Sequence, residues 1–234
     1  MLEDLKKKVY YANMRLREEG LAVLTWGNAS GRDAETGCMV IKPSGVPYGL
    51  LKPRDLVVVD LADGRVREGR LKPSSDTPTH LELYRAFPSL GGIVHTHSPE
   101  ATAWAQAGRE IPCYGTTHAD HFHGAVPVAR ALTAEEVEAA YERNTGKAIV
   151  ARFAGLDPMH CPAVLAAGHG PFAWGADAMQ AVDNAVALET VARMARLTEG
   201  LAARKAAPLL PAHVAEKHFA RKHGPNAYYG QGKR

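Results

Sequence analysis

No stretch of this 234-residue chain stays apolar for the roughly 18 residues that a membrane-crossing helix needs. A membrane-spanning helix is therefore not expected. The opening residues, Met1 to Lys8, mix charges and lack the roughly 7–15-residue apolar stretch of a secretory signal. Cysteine is scarce: Cys38, Cys113 and Cys161 are odd in number, far apart and without CxxC spacing. That argues against a disulfide framework or a thiolate zinc site and points to a reducing, cytoplasmic compartment. Neither sign of charge dominates, since 28 Lys and Arg against 25 Asp and Glu leave a net charge of +3. The basic residues are scattered except for a few near the C-terminal end, so no phosphate-backbone footprint is present and no nucleic-acid partner is expected. The phosphate-loop pattern GxxxxGK followed by Ser or Thr is absent, as are internal repeats, low-complexity stretches and linkers.

What is present is the make-up of one globular domain: 46% hydrophobic residues, 22 Gly and 15 Pro. Residues 1–19 place Leu2, Leu5, Val9, Ala12 and Leu16 on one face of an amphipathic helix that Gly20 ends. Short runs rich in β-formers follow at Ala22–Trp26, Met39–Ile41 and Leu56–Leu61, separated by turn clusters at Gly27–Gly31 and Ala62–Gly64. A helix starts near Asp76-Thr77-Pro78, with His80, Leu83, Tyr84 and Phe87 on one face. Gly92–Thr96 reads as a strand, Pro99–Ala107 as a helix and Ala163–Ala167 as a strand entering Gly168-His169-Gly170. Asp177-x-x-Gln180 opens a long helix to about Thr198, and a last helix covers roughly 212–223 and stops at Gly224. The fold class is α/β of the α+β type: one domain over 1–234, its central, mostly antiparallel sheet flanked by helices.

The sharpest chemical signal among the eleven histidines is His95-Thr96-His97. In a strand residues i and i+2 point the same way, so two imidazoles would face one divalent cation. His169, between two glycines at a strand end, offers a third nitrogen, and Asp76 a carboxylate. Three histidines leave a tetrahedral zinc one open position, the catalytic pattern, whereas an exposed HxH alone merely decorates a strand. Lys42-Pro43-Ser44-Gly45 and Lys72-Pro73-Ser74-Ser75 are either phosphate cradles of hydroxyls and turn amides or two ordinary turns with lysine in solvent. Asn28 and Ser30, in a glycine turn, are equally open. Asp120 is a general acid/base if desolvation raises its pKa, or a turn cap. His121 and His123 form a second HxH with no further ligand in view. His218 and Arg221 share a helix face near Tyr229, a possible proton donor, or all belong to a solvated basic tail. Gly168-His169-Gly170-Pro171-Phe172-Ala173 nominally fits the looser dinucleotide fingerprint, but the next helix opens only at Asp177, so no βαβ unit forms.

These pieces stand together and in order in one family. Thr25–Ser30, Ile41–Val46, Lys72–His80, Gly91–Ser98, Gly115–Asp120, Gly168–Gly175 and Arg221–Gly224 with Tyr228–Gln231 resemble the class II aldolase/adducin superfamily, and within it the L-ribulose-5-phosphate 4-epimerases. The resemblance runs from Met1 to about Gln231. It implies that His95, His97 and His169 ligate zinc, one ion per subunit with manganese or cobalt as substitutes, and that Asp76 lies at or beside the metal. It further implies a phosphate pocket of Asn28, Lys42, Ser44, Gly45, Ser74 and Ser75, with Asp120 and Tyr229 as the catalytic acid/base pair. Thr116, Glu142, His218 and Arg221 match residues near the site at a subunit boundary. The implied assembly is a ring-shaped homotetramer in which Asp120, His218 and Tyr229 come from the neighbour. Two departures stand out: His121 and His123 occupy positions where tyrosines are expected, and Arg143-Asn144 replaces a more hydrophobic stretch.

The implied substrate is a small sugar phosphate, and the implied reaction interconverts L-ribulose 5-phosphate and D-xylulose 5-phosphate. The C4 proton of a 2-ketose is not acidic, so inversion there requires C3–C4 cleavage, a metal-bound enediolate, and re-bonding to the other face of glycolaldehyde phosphate. Two proton carriers on opposite sides then serve the two epimers. An aldolase of the L-fuculose-1-phosphate type is the rival within the superfamily, but there a glutamate is expected where this chain has Asp76. A non-catalytic adducin-like interaction module would lack the metal histidines, and all three are here.

Overall fold

The computed structural model describes residues 2–202, 206–223 and 227–229. Met1, Gly224, Gly230 and Gln231, which belong to the expected helix stop and motif ends, lie outside the described residues. Eight strands form one sheet: β1 Asn28–Asp33, β2 Cys38–Ile41, β3 Val57–Asp60, β4 Val66–Glu68, β5 Gly92–His95, β6 Val128–Ala129, β7 Ala163–Ala166 and β8 Gly170–Gly175. Their spatial order is β4-β3-β2-β1-β5-β8-β7-β6, antiparallel throughout except for the parallel β6–β7 pair. Seven helices complete the described chain: α1 Glu3–Glu18, α2 Thr77–Ala86, α3 Pro99–Gln106, α4 Thr116–Ala119, α5 Ala134–Arg152, α6 Ala178–Ala202 and α7 Ala212–His223. The expected mostly antiparallel sheet with flanking helices is the observed architecture.

The largest correction concerns Gly27–Gly31, expected as a turn after a strand at Ala22–Trp26. The order is reversed: residues 24–25 turn, with Leu24 at φ 57° and largely exposed, and Asn28–Asp33 is a central strand. Gly31 is there for packing. A Cβ at Gly31 would sit 2.7 Å from Val9 Cγ2 and 2.9 Å from Leu5 Cδ1, so its absence lets α1 lie directly on the sheet. Consecutive strand residues face opposite ways. Gly31 therefore meets α1 and the start of α6, while Ser30 points at His80 and Tyr84 of α2 on the other face. The buried side of α1, Val9, Ala12 and Leu16, is the one that the apolar spacing indicates.

The sequence reading also passes over α5. Its start carries a full capping box, with Glu136 N donating to Thr133 Oγ1 at 3.3 Å and Thr133 N to Glu136 Oε2 at 3.0 Å. Backbone geometry breaks at Ala140, and the following half packs on α2. At the start of α6 the expected Asp177–Gln180 signal is real but shifted. Gln180 N donates to Asp177 Oδ1 at 2.8 Å, while Gln180 Oε1 accepts from Ala176 N at 2.6 Å. The glycines around His169 connect β7 and β8 as an antiparallel hairpin, so the geometry of a dinucleotide fold is absent.

Candidate metal centre and active site

His95 ends β5, His97 follows two residues on, and His169 occupies the β7–β8 turn. β5 and β8 are hydrogen-bonded neighbours, which brings the three rings together. Their centroids are 4.9 Å (His95–His97), 4.6 Å (His95–His169) and 5.1 Å (His97–His169) apart. One nitrogen from each ring lies within 4.8 Å of the other two, the single grouping of this kind among the described residues. Close approach depends on Gly170, where a Cβ would meet the Thr96 carbonyl oxygen at 2.8 Å.

Second contacts set the tautomer of His95. Its Nδ1 donates to the Pro171 carbonyl at 2.9 Å, leaving the Nε2 lone pair free, 3.1 Å from His97 Nε2. The ring stacks on Phe172 with centroids 4.2 Å apart. Burial pulls the pKa of His169 down to about 4, and His95 and His97 pull it further the same way. His97 is lowered by the same causes, burial first. Burial alone would raise Asp76, yet the neighbouring His95, His80 and His169 and the Asn28 hydrogen bond leave it lowered. Three converging imidazole nitrogens with a carboxylate held below its usual range beside them fit a divalent cation of borderline softness.

The two Lys-Pro-Ser turns, ambiguous one at a time, are joined by the fold. Pro43 and Pro73 form an antiparallel bridge, Ser44 N donates to the Lys72 carbonyl and Ser74 N to the Lys42 carbonyl, both at 3.0 Å. Lys42 is 2% exposed, and among the described residues its Nζ has the carbonyls of Thr25 and Pro43, each at 3.4 Å, and the Tyr48 ring at 4.9 Å. Burial lowers its pKa to about 8. Asn28, which pairs with His95 across β1 and β5, donates from Nδ2 to Ser74 Oγ at 3.1 Å and to Asp76 Oδ2 at 2.6 Å. A cavity of about 360 Å³ is lined by Thr25–Asn28, Lys42–Gly45, Ser74–Asp76, His95, His97, His169, Tyr141 and Glu142. Every expected metal and phosphate residue thus borders one space.

Asp120, Thr116, His218, Arg221 and Tyr229 do not line it. They form a second cluster where α7 docks on α4. Asp120 Oδ1 accepts from Arg221 Nε at 2.9 Å and His218 Nδ1 at 3.1 Å, and its carbonyl accepts from His223 Nε2 at 2.9 Å. The Tyr229 ring lies 4.8 Å from the Arg221 guanidinium and 4.6 Å from Lys222 Nζ. The reading of a solvated basic tail is therefore overturned for His218 and Arg221, which are only part-exposed and pair with Asp120. The condition attached to Asp120, a pKa raised by desolvation, is not met: burial pushes it up, but Arg221, His218 and Lys222 outweigh that and leave it lowered. Thr116 is the first residue of α4.

His121 and His123 are not a second metal pair, since His123 Nε2 instead contacts Glu216 Oε1 at 2.9 Å. Arg143 and Asn144 fasten α5, with Arg143 Nε on Glu82 Oε1 at 3.0 Å and Asn144 Nδ2 on the Glu136 carbonyl at 2.7 Å. Glu142 borders the cavity, and its carbonyl accepts from Thr79 Oγ1 at 2.6 Å. Tyr141, its ring 5.9 Å from that of His169, is a cavity residue that the sequence reading misses. The Thr133-x-x-Glu136 box is the signal that would have found its helix.

The sequence model of the Class II Aldolase and Adducin N-terminal domain matches residues 7–196. The chain is 56% identical over 230 residues to L-ribulose-5-phosphate 4-epimerase UlaF of Salmonella paratyphi B, covering 98% of this chain and 100% of that protein. It is 55% identical to the Salmonella typhi protein of the same name, with the same coverage. Among solved structures, an L-fuculose 1-phosphate aldolase superposes with a TM-score of 0.76 at 29% identity, over 92% of this chain and 94% of that one. L-fuculose-1-phosphate aldolase from Thermus thermophilus gives 0.67 at 25% identity, over 87% and 98%. With its histidine triad gathered at one end of the β5–β8 ladder and a match across most of its length, the chain belongs to the class II aldolase/adducin family.

Proposed function

We propose that the chain is a zinc-dependent enzyme that interconverts L-ribulose 5-phosphate and D-xylulose 5-phosphate by inverting C4. The observation that carries this reading is one cavity in which the imidazole triad and the paired Lys-Pro-Ser turns are joined through Asn28. The extent and degree of identity to the Salmonella epimerases support it, as does an aspartate at position 76.

His95, His97 and His169, with Asp76, would hold the ion. A bound divalent cation supplies Lewis acidity to adjacent sugar oxygens, and manganese or cobalt serves in place of zinc. Lys42, the hydroxyls of Ser44, Ser74 and Ser75, the Gly45 backbone and Asn28 grip the phosphate. Lys42, with a pKa of about 8, meets that dianion as a cation at neutral pH. Anchoring the phosphate keeps glycolaldehyde phosphate in place after the C3–C4 bond breaks, so that it turns its other face to the dihydroxyacetone fragment instead of escaping. The proton moves between the C4 oxygen and a side chain, and the epimers present that oxygen in opposite directions. Asp120 and Tyr229 of a neighbouring subunit take these two positions, with Thr116, His218 and Arg221 around them and Glu142 at the rim. The working unit in this reading is a cytoplasmic homotetramer with sites between subunits.

Zinc-loaded protein is incubated with L-ribulose 5-phosphate while D-xylulose 5-phosphate and free dihydroxyacetone are followed in time. Xylulose phosphate without dihydroxyacetone, lost on chelation and restored by zinc, is the expected result. Dihydroxyacetone with glycolaldehyde phosphate alone assigns an aldolase instead, and no conversion overturns the substrate.

A further inference from the structure

Behind Asp76 lies a buried polar chain that the proposed reaction does not use. Ser30 Oγ is 2.7 Å from His80 Nδ1 and 2.8 Å from the Tyr84 hydroxyl, and all three residues are at most 2% exposed. None of them lines the cavity. The geometry accommodates a one-way relay: with Tyr84 donating to Ser30 Oγ, the Ser30 hydroxyl is free to donate onward to His80 Nδ1. In that arrangement the ring proton of His80 sits on Nε2.

That Nε2–H is buried and has no hydrogen-bond partner among the described residues. Unpaired donors inside a protein are costly and rare, and each calls for an explanation. His80 stands outside the grouping of converging imidazole nitrogens, and in this arrangement its lone pair faces Ser30. The acceptor at hand is Asp76, four residues earlier at the head of α2 and on the same helix face. Asp76 and His80 each register the other's field. Asn28 holds only Oδ2 of that carboxylate.

We propose that His80 is a positioning residue for Asp76: clamped by Ser30 and Tyr84, its Nε2–H takes hold of the Asp76 carboxylate when that carboxylate turns toward a cation on the histidine triad. The inference rests on the metal-centre reading above. Groups that orient a ligating carboxylate typically cost about 10–100-fold in metal affinity when removed.

The test is a Co²⁺ titration by visible absorption and chelator competition on the parent, His80→Leu, His80→Gln, Asp76→Ala and Asp76→Ala/His80→Leu proteins. His80→Leu should bind Co²⁺ about 10–100-fold more weakly with an altered cobalt spectrum. His80→Gln, which restores a donor, should recover most of the affinity. In the Asp76→Ala background His80→Leu should cost nothing more, because there is no carboxylate left to position. Should His80→Leu fail to fold, Ser30→Ala, which frees the imidazole to turn, carries the same expectations. Parental affinity and spectrum in both His80→Leu and Ser30→Ala, or an equal loss with and without Asp76, would overturn the positioning role. A parent that binds no Co²⁺ would overturn the metal centre itself, a distinguishable failure.

Discussion

Asn28 donates to the Asp76 carboxylate at 2.6 Å while its β1 position pairs it directly with His95, so one amide links the paired Lys-Pro-Ser turns to the histidine triad. A hydrogen bond to a charged group contributes about 1.5–3 kcal/mol, so Asn28→Ala should lower kcat/KM about 10- to 100-fold. Steady-state kinetics and metal analysis together check this: both phosphate affinity and metal retention should weaken. A change confined to one of them would separate the two halves of the cavity.

With Lys42 gripping phosphate as proposed, binding should depend on pH. Its pKa in the folded protein, about 8, lies below the ordinary 10.5, so above pH 8 the free site progressively loses its cation. Affinity for inorganic phosphate should fall by up to about tenfold per pH unit above that point, and Lys42→Met should be weak and nearly flat. The stability sign is the reverse. Between about pH 8 and 10.5 the unfolded chain binds the proton that the folded chain releases, so Lys42 destabilises most below pH 8 and less as pH rises. Denaturant midpoints of parent and Lys42→Met should therefore converge across that window.

Asp120→Asn should retain metal and lose about 10²-fold or more in kcat, the usual scale for a displaced acid/base group. His97→Asn should lose metal and activity together. Because Asp120 lies outside the cavity of its own chain, co-assembled Asp120→Asn and His97→Asn subunits should regain activity that neither has alone. Absence of complementation in verified mixed oligomers would place both roles within one subunit.

Gly170→Ala should disturb the centre without touching a ligand. The added methyl would lie 2.8 Å from the Thr96 carbonyl oxygen and 3.6 Å from His95 Cε1. Overpacking of this kind costs about 1–3 kcal/mol, read as a lower melting temperature, and metal affinity should fall with it.

That His95 and His97 face one space was legible because period-two geometry operates over three residues, and it survives although His97 lies just past the end of β5. The joining of the two Lys-Pro-Ser turns was implied by the family resemblance but not by the turns themselves, since each gains its neighbour only through the Pro43–Pro73 bridge, a contact between distant segments. Gly31 misled for a related reason. Glycine marks turns in sequence, but here it marks the place where a helix lies against a strand, and only tertiary packing tells these apart. Asp120 likewise owes its ionised state to α7, far along the chain. Tyr141 was lost with α5, whose weak apolar periodicity hid a helix that its capping box announces.

The measurement closest to the metal centre is activity against metal content in protein stripped by chelator and reloaded stepwise with zinc, using L-ribulose 5-phosphate as substrate. Formation of D-xylulose 5-phosphate should rise in proportion to occupancy and saturate at one ion per chain, with His97→Asn failing to follow. Full activity in the stripped protein, or saturation unrelated to the triad, would contradict a catalytic cation at His95, His97 and His169.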